Sequence, residues 1–122
     1  MANILSHTTP EVFNLESGRV DARRFAEYLH IGTVEISSIL GVNDRTLRKT
    51  PDSRTIQEPL KKLLRVVDGL NRLTGHDDSQ VRIWLNAPHP DLGGISPLDL
   101  MQTGKIQGIV DLVEDMLTGA PA

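Results

Sequence analysis

Cysteine is absent from this chain of 122 residues. Its absence excludes disulfide bonds and metal sites built on thiolates, and it fits the reducing conditions of a cytoplasm. The sequence also has no apolar run near the ~18 residues that a membrane-spanning helix requires, and its N-terminus lacks the pattern of a signal peptide. We therefore expect a cytoplasmic protein with no membrane segment. Aromatic residues are scarce, at 3%, which predicts a core of leucine, isoleucine and valine.

The residue arrangements that support enzymatic chemistry are missing too. The four histidines are scattered, with no pair at i and i+4 and no carboxylate at ligand spacing, which argues against a metal site. The adjacent acids Asp77 and Asp78 suit a helix cap, and Gly93 with Gly94 lacks the spacing of a dinucleotide-binding loop. We expect a protein that is not an enzyme and that binds no metal and no cofactor.

Charge is distributed unevenly along the chain, whose formal net charge is −3. Residues 1–75 carry eleven basic and nine acidic side chains, whereas residues 76–122 carry two basic and seven acidic ones. Residues 43–65 alone hold seven basic and three acidic side chains. This balance permits one basic face for nucleic acid in the first half, and the acidic last third suggests a different partner.

Apolar residues recur at helical spacing along most of the chain, and nowhere do they alternate as in a strand. This pattern predicts an all-α protein with an N-terminal arm (1–17), a helical domain (18–76) and a second small helical domain (77–122). The first predicted helix runs from about Asp21, which can cap it, to His30, and Gly32 is expected to end it. Whether the arm packs on the rest stays open for its apolar residues Val12, Phe13 and Leu15.

The unit that follows has the layout of a helix-turn-helix. Thr33 is predicted to cap a short helix, and Gly41 allows the left-handed backbone of a tight turn. Asn43 then caps a second short helix, in which Leu47 is the buried residue. Ser37, four residues before the glycine, suits the close crossing of the two helices.

The second helix of this unit would enter the major groove of DNA, where its arginines could read guanine or hold phosphate. The alternative is a solvated basic face on a helical scaffold, and Asp44, an acid that repels phosphate, fits that alternative. The predicted DNA-binding residues are Asn43, Arg45, Thr46, Arg48 and Lys49, with further phosphate contacts from Arg54, Lys61 and Lys62.

A capping box at residues 55–58 predicts the start of a long amphipathic helix that ends at Gly75. The acidic linker 76–79 is the predicted domain boundary, and Asp78 or Ser79 is expected to cap the next helix, which ends near Asn86. The expected apolar face of the long helix consists of Ile56, Leu60, Leu63, Leu64, Val67, Leu70 and Leu73.

Residues 81–100 contain the only tryptophan, three of the seven prolines and a glycine pair. Residues 87–95 are predicted to be non-helical because of two prolines and two glycines, and Ser96 with Pro97 predicts a new helix start. Trp84 is interpreted as a core residue whose indole N–H bonds a carbonyl of the following loop; the alternative is a contact with a partner. We expect this segment to direct the last helix outward.

The last predicted helix runs from about Lys105 to Thr118 and is ended by Gly119. One face is an apolar stripe of Ile106, Ile109, Val110, Val113 and Leu117. The opposite face is acidic and carries Asp111, Glu114 and Asp115.

The order of residues in this C-terminal part resembles the toxin-binding domain of the MbcA/ParS/Xre antitoxin family. The preceding helix-turn-helix, about residues 21–75, resembles the Xre-like N-terminal domain of the same family. The C-terminal match consists of Trp84-Leu85-Asn86, Pro88, Pro90, Leu92-Gly93-Gly94 and Pro97-Leu98-Asp99-Leu100, followed by a helix with Val110, Val113 and Leu117.

The resemblance implies a type II antitoxin whose partner is a RES-domain toxin that consumes NAD. It implies that the C-terminal domain obstructs the toxin's active-site cleft, that two copies form a homodimer, and that the helix-turn-helix represses the protein's own operon by binding operator DNA. We add the hypothesis that the acidic face imitates an anionic dinucleotide in that cleft. The expected toxin-binding residues are Trp84, Pro88, Leu92, Gly93, Gly94, Pro97, Leu98, Asp111, Glu114, Asp115 and Leu117.

Two other functions remain open from the residues alone. One is a stand-alone transcriptional regulator whose C-terminal domain only dimerises. The other is a protein-interaction scaffold that does not bind DNA.

Overall fold

The structure is a computed structural model that describes residues 10–119. This part of the chain contains helices and turns and no strand, so the predicted all-α class is confirmed. The helices are α1 (Ala22–Leu29), α2 (Thr33–Leu40), α3 (Asp44–Lys49), α4 (Gln57–Thr74), α5 (Asp78–Asn86), α6 (Pro97–Gln102) and α7 (Ile106–Thr118). Single 3-10 turns occur at Pro10–Val12, Arg54–Ile56 and Pro90–Leu92.

Helix α1 begins as predicted, because Asp21 Oδ1 accepts a hydrogen bond from the N–H of Arg24 at 3.0 Å. Its predicted end was wrong. His30, not Gly32, adopts the left-handed conformation (φ 58°) that closes the helix, and Gly32 is the N-cap of α2 in place of Thr33. The N–H of Gly32 donates to Glu35 Oε1 at 2.7 Å. A side chain inside α2 therefore supplies the acceptor for a backbone N–H at the start of the helix.

Helices α2 and α3 are two short helices joined by a tight turn, at the place where the sequence predicts a helix-turn-helix. Gly41 has φ 69° at the end of α2, and Asn43 Oδ1 accepts from the N–H of Arg45 at 2.8 Å to begin α3. Ser37 is buried, and its hydroxyl donates to the carbonyl of Val34 at 2.7 Å. Leu47 is the one buried residue of α3.

The capping box predicted at residues 55–58 was wrong. Ser53 caps a 3-10 turn that precedes α4, and α4 itself begins without a side-chain cap. The side chain of Gln57 instead bonds both backbone groups of Val20, at 3.0 and 2.9 Å, and so fastens the segment before α1 to the start of α4. The buried face of α4 includes Val66, which the sequence reading omitted, while Leu73 is exposed.

Only part of the predicted N-terminal arm lies within the described residues, which begin at Pro10. Val12 is fully buried and Phe13 packs against the core, whereas Leu15 is 85% exposed. Phe13 pairs with Val20 through an isolated antiparallel bridge. Val12 and Phe13 of the arm therefore pack on the rest of the protein, and Leu15 does not.

Helix α5 is capped by Asp77 rather than by Asp78 or Ser79. Hydrogen bonds from the backbone N–H of Gln80 and from the Ser79 hydroxyl lower the pKa of the Asp77 carboxyl. The following loop contains a 3-10 turn, although we predicted no helical residues there. Ser96 caps α6 as predicted, with its hydroxyl accepting from the N–H of Asp99 at 3.1 Å.

Helix α7 lies along α4, and the two form the most extensive helix–helix contact in the described chain. The prediction that the segment before it directs α7 outward was therefore wrong. The contact depends on Gly69, where a Cβ atom would overlap Val113 Cγ1 and lie 3.1 Å from Leu117 Cδ1. Of the predicted stripe, four residues are buried and Leu117 is partly exposed.

One hydrophobic cluster runs through the whole described chain, from Val12 to Val113. It crosses the domain boundary predicted at residues 76 and 77, because α4 contacts α2, α5 and α7 and because α2 also contacts α6. Within residues 10–119, no helix is long and apolar enough to cross a membrane.

Candidate functional site

The basic surface of the N-terminal half centres on α3. Arg45, Thr46 and Lys49 are exposed there, as the predicted major-groove contact requires. The side chain of Asn43 is already occupied by capping α3. Of the five predicted DNA-binding side chains, three (Arg45, Thr46 and Lys49) thus form no hydrogen bond or ion pair within residues 10–119, and Asn43 has a structural task.

Arg48, the fifth member of that set, is held by its neighbour one turn earlier. Its Nε lies 3.2 Å from Asp44 Oδ2 in an exposed ion pair at i, i+4. The other carboxylate oxygen, Asp44 Oδ1, is buried and has no hydrogen-bond partner among residues 10–119. A buried acceptor without a hydrogen bond costs about 1–3 kcal/mol, so this oxygen of Asp44 lowers the stability of the folded protein.

The loop between α5 and α6 is closed by short-range bonds. His89 and Ile95 pair across it through an antiparallel bridge, and the N–H of Gly94 donates to the carbonyl of His89 at 2.9 Å. Gly93 and Gly94 both have positive φ angles, 69° and 81°, which is the conformation that glycine adopts most readily. The predicted function of this glycine pair as a turn is therefore supported by its backbone.

Trp84 is half-buried and packs against the edge of the core rather than inside it. Its ring lies 4.7 Å from that of His89, whose Nε2 is 3.3 Å from the carbonyl of Trp84. The indole bond that we predicted is absent from the described part of the chain, so that detail was wrong. His89 takes the role of fastening the loop to α5.

The predicted toxin-binding residues divide into two groups by exposure. Pro97 and Leu98 are buried, and Leu92 is half-buried like Trp84, so these side chains shape the unit from inside. The exposed residues are Pro88, Gly93, Gly94, Asp111, Glu114, Asp115 and Leu117.

The exposed face of α7 is acidic, as predicted, but its three carboxylates differ in their surroundings. Glu114 forms an ion pair with Arg65 of α4. Asp111 accepts a hydrogen bond from Gln107 at 3.0 Å. Asp115 is exposed and forms no ion pair within residues 10–119. Two apolar residues, Met116 and Leu117, are each 36% exposed next to these acids, giving the mixture of apolar and charged groups that is typical of a protein interface.

A partly buried polar cluster that was not predicted from the sequence joins the two halves of the protein. The hydroxyl of Tyr28 in α1 donates to Asp78 Oδ1 in α5 at 2.6 Å, and Asn71 Nδ2 in α4 lies 3.3 Å from the same hydroxyl. Arg82 of α5 donates to the carbonyl of Tyr28 at 3.0 Å. These bonds span up to 54 residues of sequence, which no local pattern could predict.

Within residues 10–119 no group of three or more His, Asp or Glu side chains could hold a metal ion. The concave surfaces are shallow. One is lined by Asp21, Arg23, Arg24, Glu27 and Pro51, and another, on α4, by Lys61, Leu64, Arg65 and Asp68.

Comparisons with known proteins concern mainly the second half of the chain. Residues 69–119 match the family model of the antitoxin Xre/MbcA/ParS C-terminal toxin-binding domain. The match begins at Gly69, the residue at the close crossing of α4 and α7, and ends at Gly119, the C-cap of α7. It therefore contains the end of α4 together with α5, α6 and α7. A comparison with curated proteins finds no match.

Among solved structures, the chain is similar to one chain of the crystal structure of the M. tuberculosis MbcT–MbcA toxin–antitoxin complex. The TM-score is 0.56 at 22% sequence identity, over 80% of this chain and 90% of that one. At that identity the similarity shows a shared fold.

Proposed function

We propose that this chain, an antitoxin of the MbcA/ParS/Xre family by its C-terminal domain, neutralises a RES-domain toxin that consumes NAD. The observation that carries the proposal is the match of residues 69–119 to a toxin-binding domain. Neutralisation is by occupancy: the antitoxin binds the toxin and obstructs its active-site cleft, and it catalyses no reaction. The lifetime of the complex then determines how long the toxin stays inactive.

The surface proposed to meet the toxin is the outer face and C-terminal end of α7. Its inner face is packed on α4, so the outer face is presented on a fixed support. Asp111 and Asp115 carry charge that α4 leaves uncompensated, whereas Glu114 is paired with Arg65. The exposed Met116 and Leu117 add apolar area. Such a surface suits a cleft that accepts an anionic dinucleotide, because it offers negative charge in the same place.

The test is inhibition of NAD consumption by the RES-domain protein encoded in the neighbouring reading frame. We expect the two proteins to co-purify and the wild-type chain to abolish NAD consumption at equimolar concentration. Charge reversal at Asp111 and Asp115 should weaken the complex at least tenfold, and raising salt should weaken the wild-type complex, because steering and pairing of exposed charges are screened. Reversal of Glu114 should have a smaller effect because Arg65 already neutralises it.

The matched control is Glu27→Lys, which reverses an exposed negative charge on α1, a helix outside the proposed toxin-binding surface. It should leave inhibition unchanged. Unaltered affinity in the α7 variants would contradict the electrostatic proposal, and failure of the two proteins to co-purify would contradict the antitoxin role itself.

We further propose that a homodimer of the chain represses its own operon through α2 and α3. The free side chains of Arg45, Thr46 and Lys49 on an exposed helix after a glycine turn support this proposal. A mobility shift on the DNA upstream of the coding sequence, lost in the double variant Arg45→Ala/Arg48→Ala, is the expected result. The absence of a shift with the wild-type chain would favour a scaffold that does not bind DNA, and a shift that persists in the double variant would contradict binding through α3. A shift without any toxin partner would favour a stand-alone regulator.

A further inference from the structure

The ion pair on α3 suggests that Asp44 and Arg48 have different functions in DNA binding. We infer that Arg48 reads a guanine and that Asp44 is a positioning residue that sets its orientation and excludes phosphate. This inference rests on the proposed binding of DNA by α3. It concerns how that surface distinguishes a specific sequence from any other duplex.

The geometry of the pair leaves the reading edge of the arginine free. Asp44 Oδ2 contacts Nε of Arg48 at 3.2 Å, which is the inner edge of the guanidinium. The two terminal nitrogens form no hydrogen bond or ion pair within residues 10–119, and the side chain is 59% exposed. Guanine presents its O6 and N7 acceptors side by side in the major groove, and a fork of two N–H donors matches them. An arginine already held by an ion pair loses less conformational freedom when it makes that contact.

The carboxylate also has a definite orientation of its own. Its Oδ1 is buried, while Oδ2 faces Arg48. One oxygen of the carboxylate is therefore enclosed by the protein without a hydrogen bond, and the other is paired with the arginine.

The charge of Asp44 acts against unspecific binding. Phosphate contacts supply most of the affinity for unspecific DNA, and each one contributes to the salt dependence of binding. Arg48 paired with a carboxylate contributes less to that attraction than a free arginine, and the carboxylate repels nearby phosphates. Asp44 should therefore lower affinity for arbitrary duplexes while it preserves the guanine contact, which raises the ratio of specific to unspecific affinity.

The decisive experiment compares the wild-type full chain with Asp44→Ala on two duplexes of equal length. One carries the DNA immediately upstream of the chain's own coding sequence, and the other has a random sequence. We expect Asp44→Ala to bind the random duplex severalfold more tightly. The slope of its log affinity against log salt concentration should be steeper by about one, because Arg48 becomes a phosphate contact. The ratio of affinities for the two duplexes should fall about tenfold.

A double-variant cycle distinguishes positioning from a merely structural effect. Arg48→Ala should reduce affinity for the upstream duplex by roughly tenfold to a hundredfold, as loss of a bidentate base contact does. In the Arg48→Ala background, Asp44→Ala should no longer alter the ratio of affinities. Asp44→Asn, which keeps the shape of the side chain and removes its charge, should show most of the increase on random DNA, and circular dichroism checks that each variant is folded.

Glu114→Ala is the matched control because it also removes a carboxylate from an exposed ion pair with arginine, here on α7. It changes the net charge equally and should leave the affinity ratio and the salt slope unchanged. An affinity ratio that is the same for wild type and Asp44→Ala would overturn the inference while DNA binding itself stands. Absence of binding in both the wild type and Asp44→Ala would overturn DNA binding by α3 together with the inference. Binding by Asp44→Ala alone would also overturn the inference, because the wild type would then not read the upstream duplex.

Discussion

Helices α3 and α7 carry the two proposed partner surfaces, and the protein holds them in different ways. The six-residue α3 buries one side chain, Leu47, and is otherwise fixed by its cap and by its own ion pair. The thirteen-residue α7 buries four side chains and crosses α4 closely at Gly69. One surface is thus maintained by local contacts and the other by contacts between distant parts of the sequence. Helix α3 can therefore loosen by itself, whereas α7 can leave α4 only when the core opens.

The largest effect that bears on this comparison is expected from Leu47→Ala. Removal of this buried side chain should reduce the free energy of unfolding by about 2–5 kcal/mol, as leucine truncation does in well-packed cores. Because α3 has no second anchor, its amide protons should also exchange faster than those of α7. Chemical denaturation measures the first effect, and hydrogen exchange measures the second.

Leu73→Ala is the control, since Leu73 is 44% exposed on α4 and its truncation should change stability by less than about 0.5 kcal/mol. If Leu47→Ala accelerated exchange equally in α3 and α7, the two helices would be held alike and the comparison would fail.

A smaller effect is expected at the crossing of α4 and α7. Gly69→Ala places a methyl group against Val113, and the required separation of the helices should cost about 1–3 kcal/mol, from which a gain in helix propensity of up to about 1 kcal/mol is subtracted. Gly108→Ala is the matched control, because this glycine is exposed on α7 with no atom near its Cβ position. It should stabilise the protein slightly. Equal stabilisation by both substitutions in thermal or chemical unfolding would show that the crossing has room for a side chain.

The smallest effect on stability is expected from the ion pairs that α3 and α7 form. Arg65 and Glu114 join two helices on the surface, so their coupling energy in a double-variant cycle should be about 0–1 kcal/mol and should fall with salt. The pair of Asp44 and Arg48 lies within one helix and should contribute about 0.3–0.5 kcal/mol. A coupling above about 2 kcal/mol for either pair would mean that a charge pair, rather than apolar packing, distinguishes the two surfaces.

Several signals that act within a few residues were predicted correctly from the sequence, although the caps of α2, α4 and α5 were not. Asn43 and Ser96 cap their helices, and Gly41, Gly75 and Gly119 end theirs in left-handed conformations. These residue types are favoured at such positions because of their own backbone and side-chain geometry. A single sequence is therefore enough to predict these caps and helix ends. His30 was missed because a residue other than glycine adopts a positive φ angle infrequently.

Features that depend on distant residues could not be predicted in this way. Gln57 was assigned to a capping box, but it bonds Val20, 37 positions away. The pairing of Glu114 with Arg65 and the cluster around Tyr28 likewise require the tertiary structure. Gly69 did carry a usable signal: a glycine inside a helix costs about 1 kcal/mol relative to alanine, and such a residue often marks a close approach.

The hydrophobic cluster that continues through both halves has a consequence for the timing of regulation. Helix α4 takes part in packing on each side, so the chain is expected to unfold as one cooperative unit. A protease that captures the unfolded chain would then remove both proposed functions, inhibition of a toxin and repression of the operon, in a single event. On that proposal, release of the toxin and renewed synthesis of the antitoxin would start together. The time that expression requires would then determine the delay before new antitoxin is present.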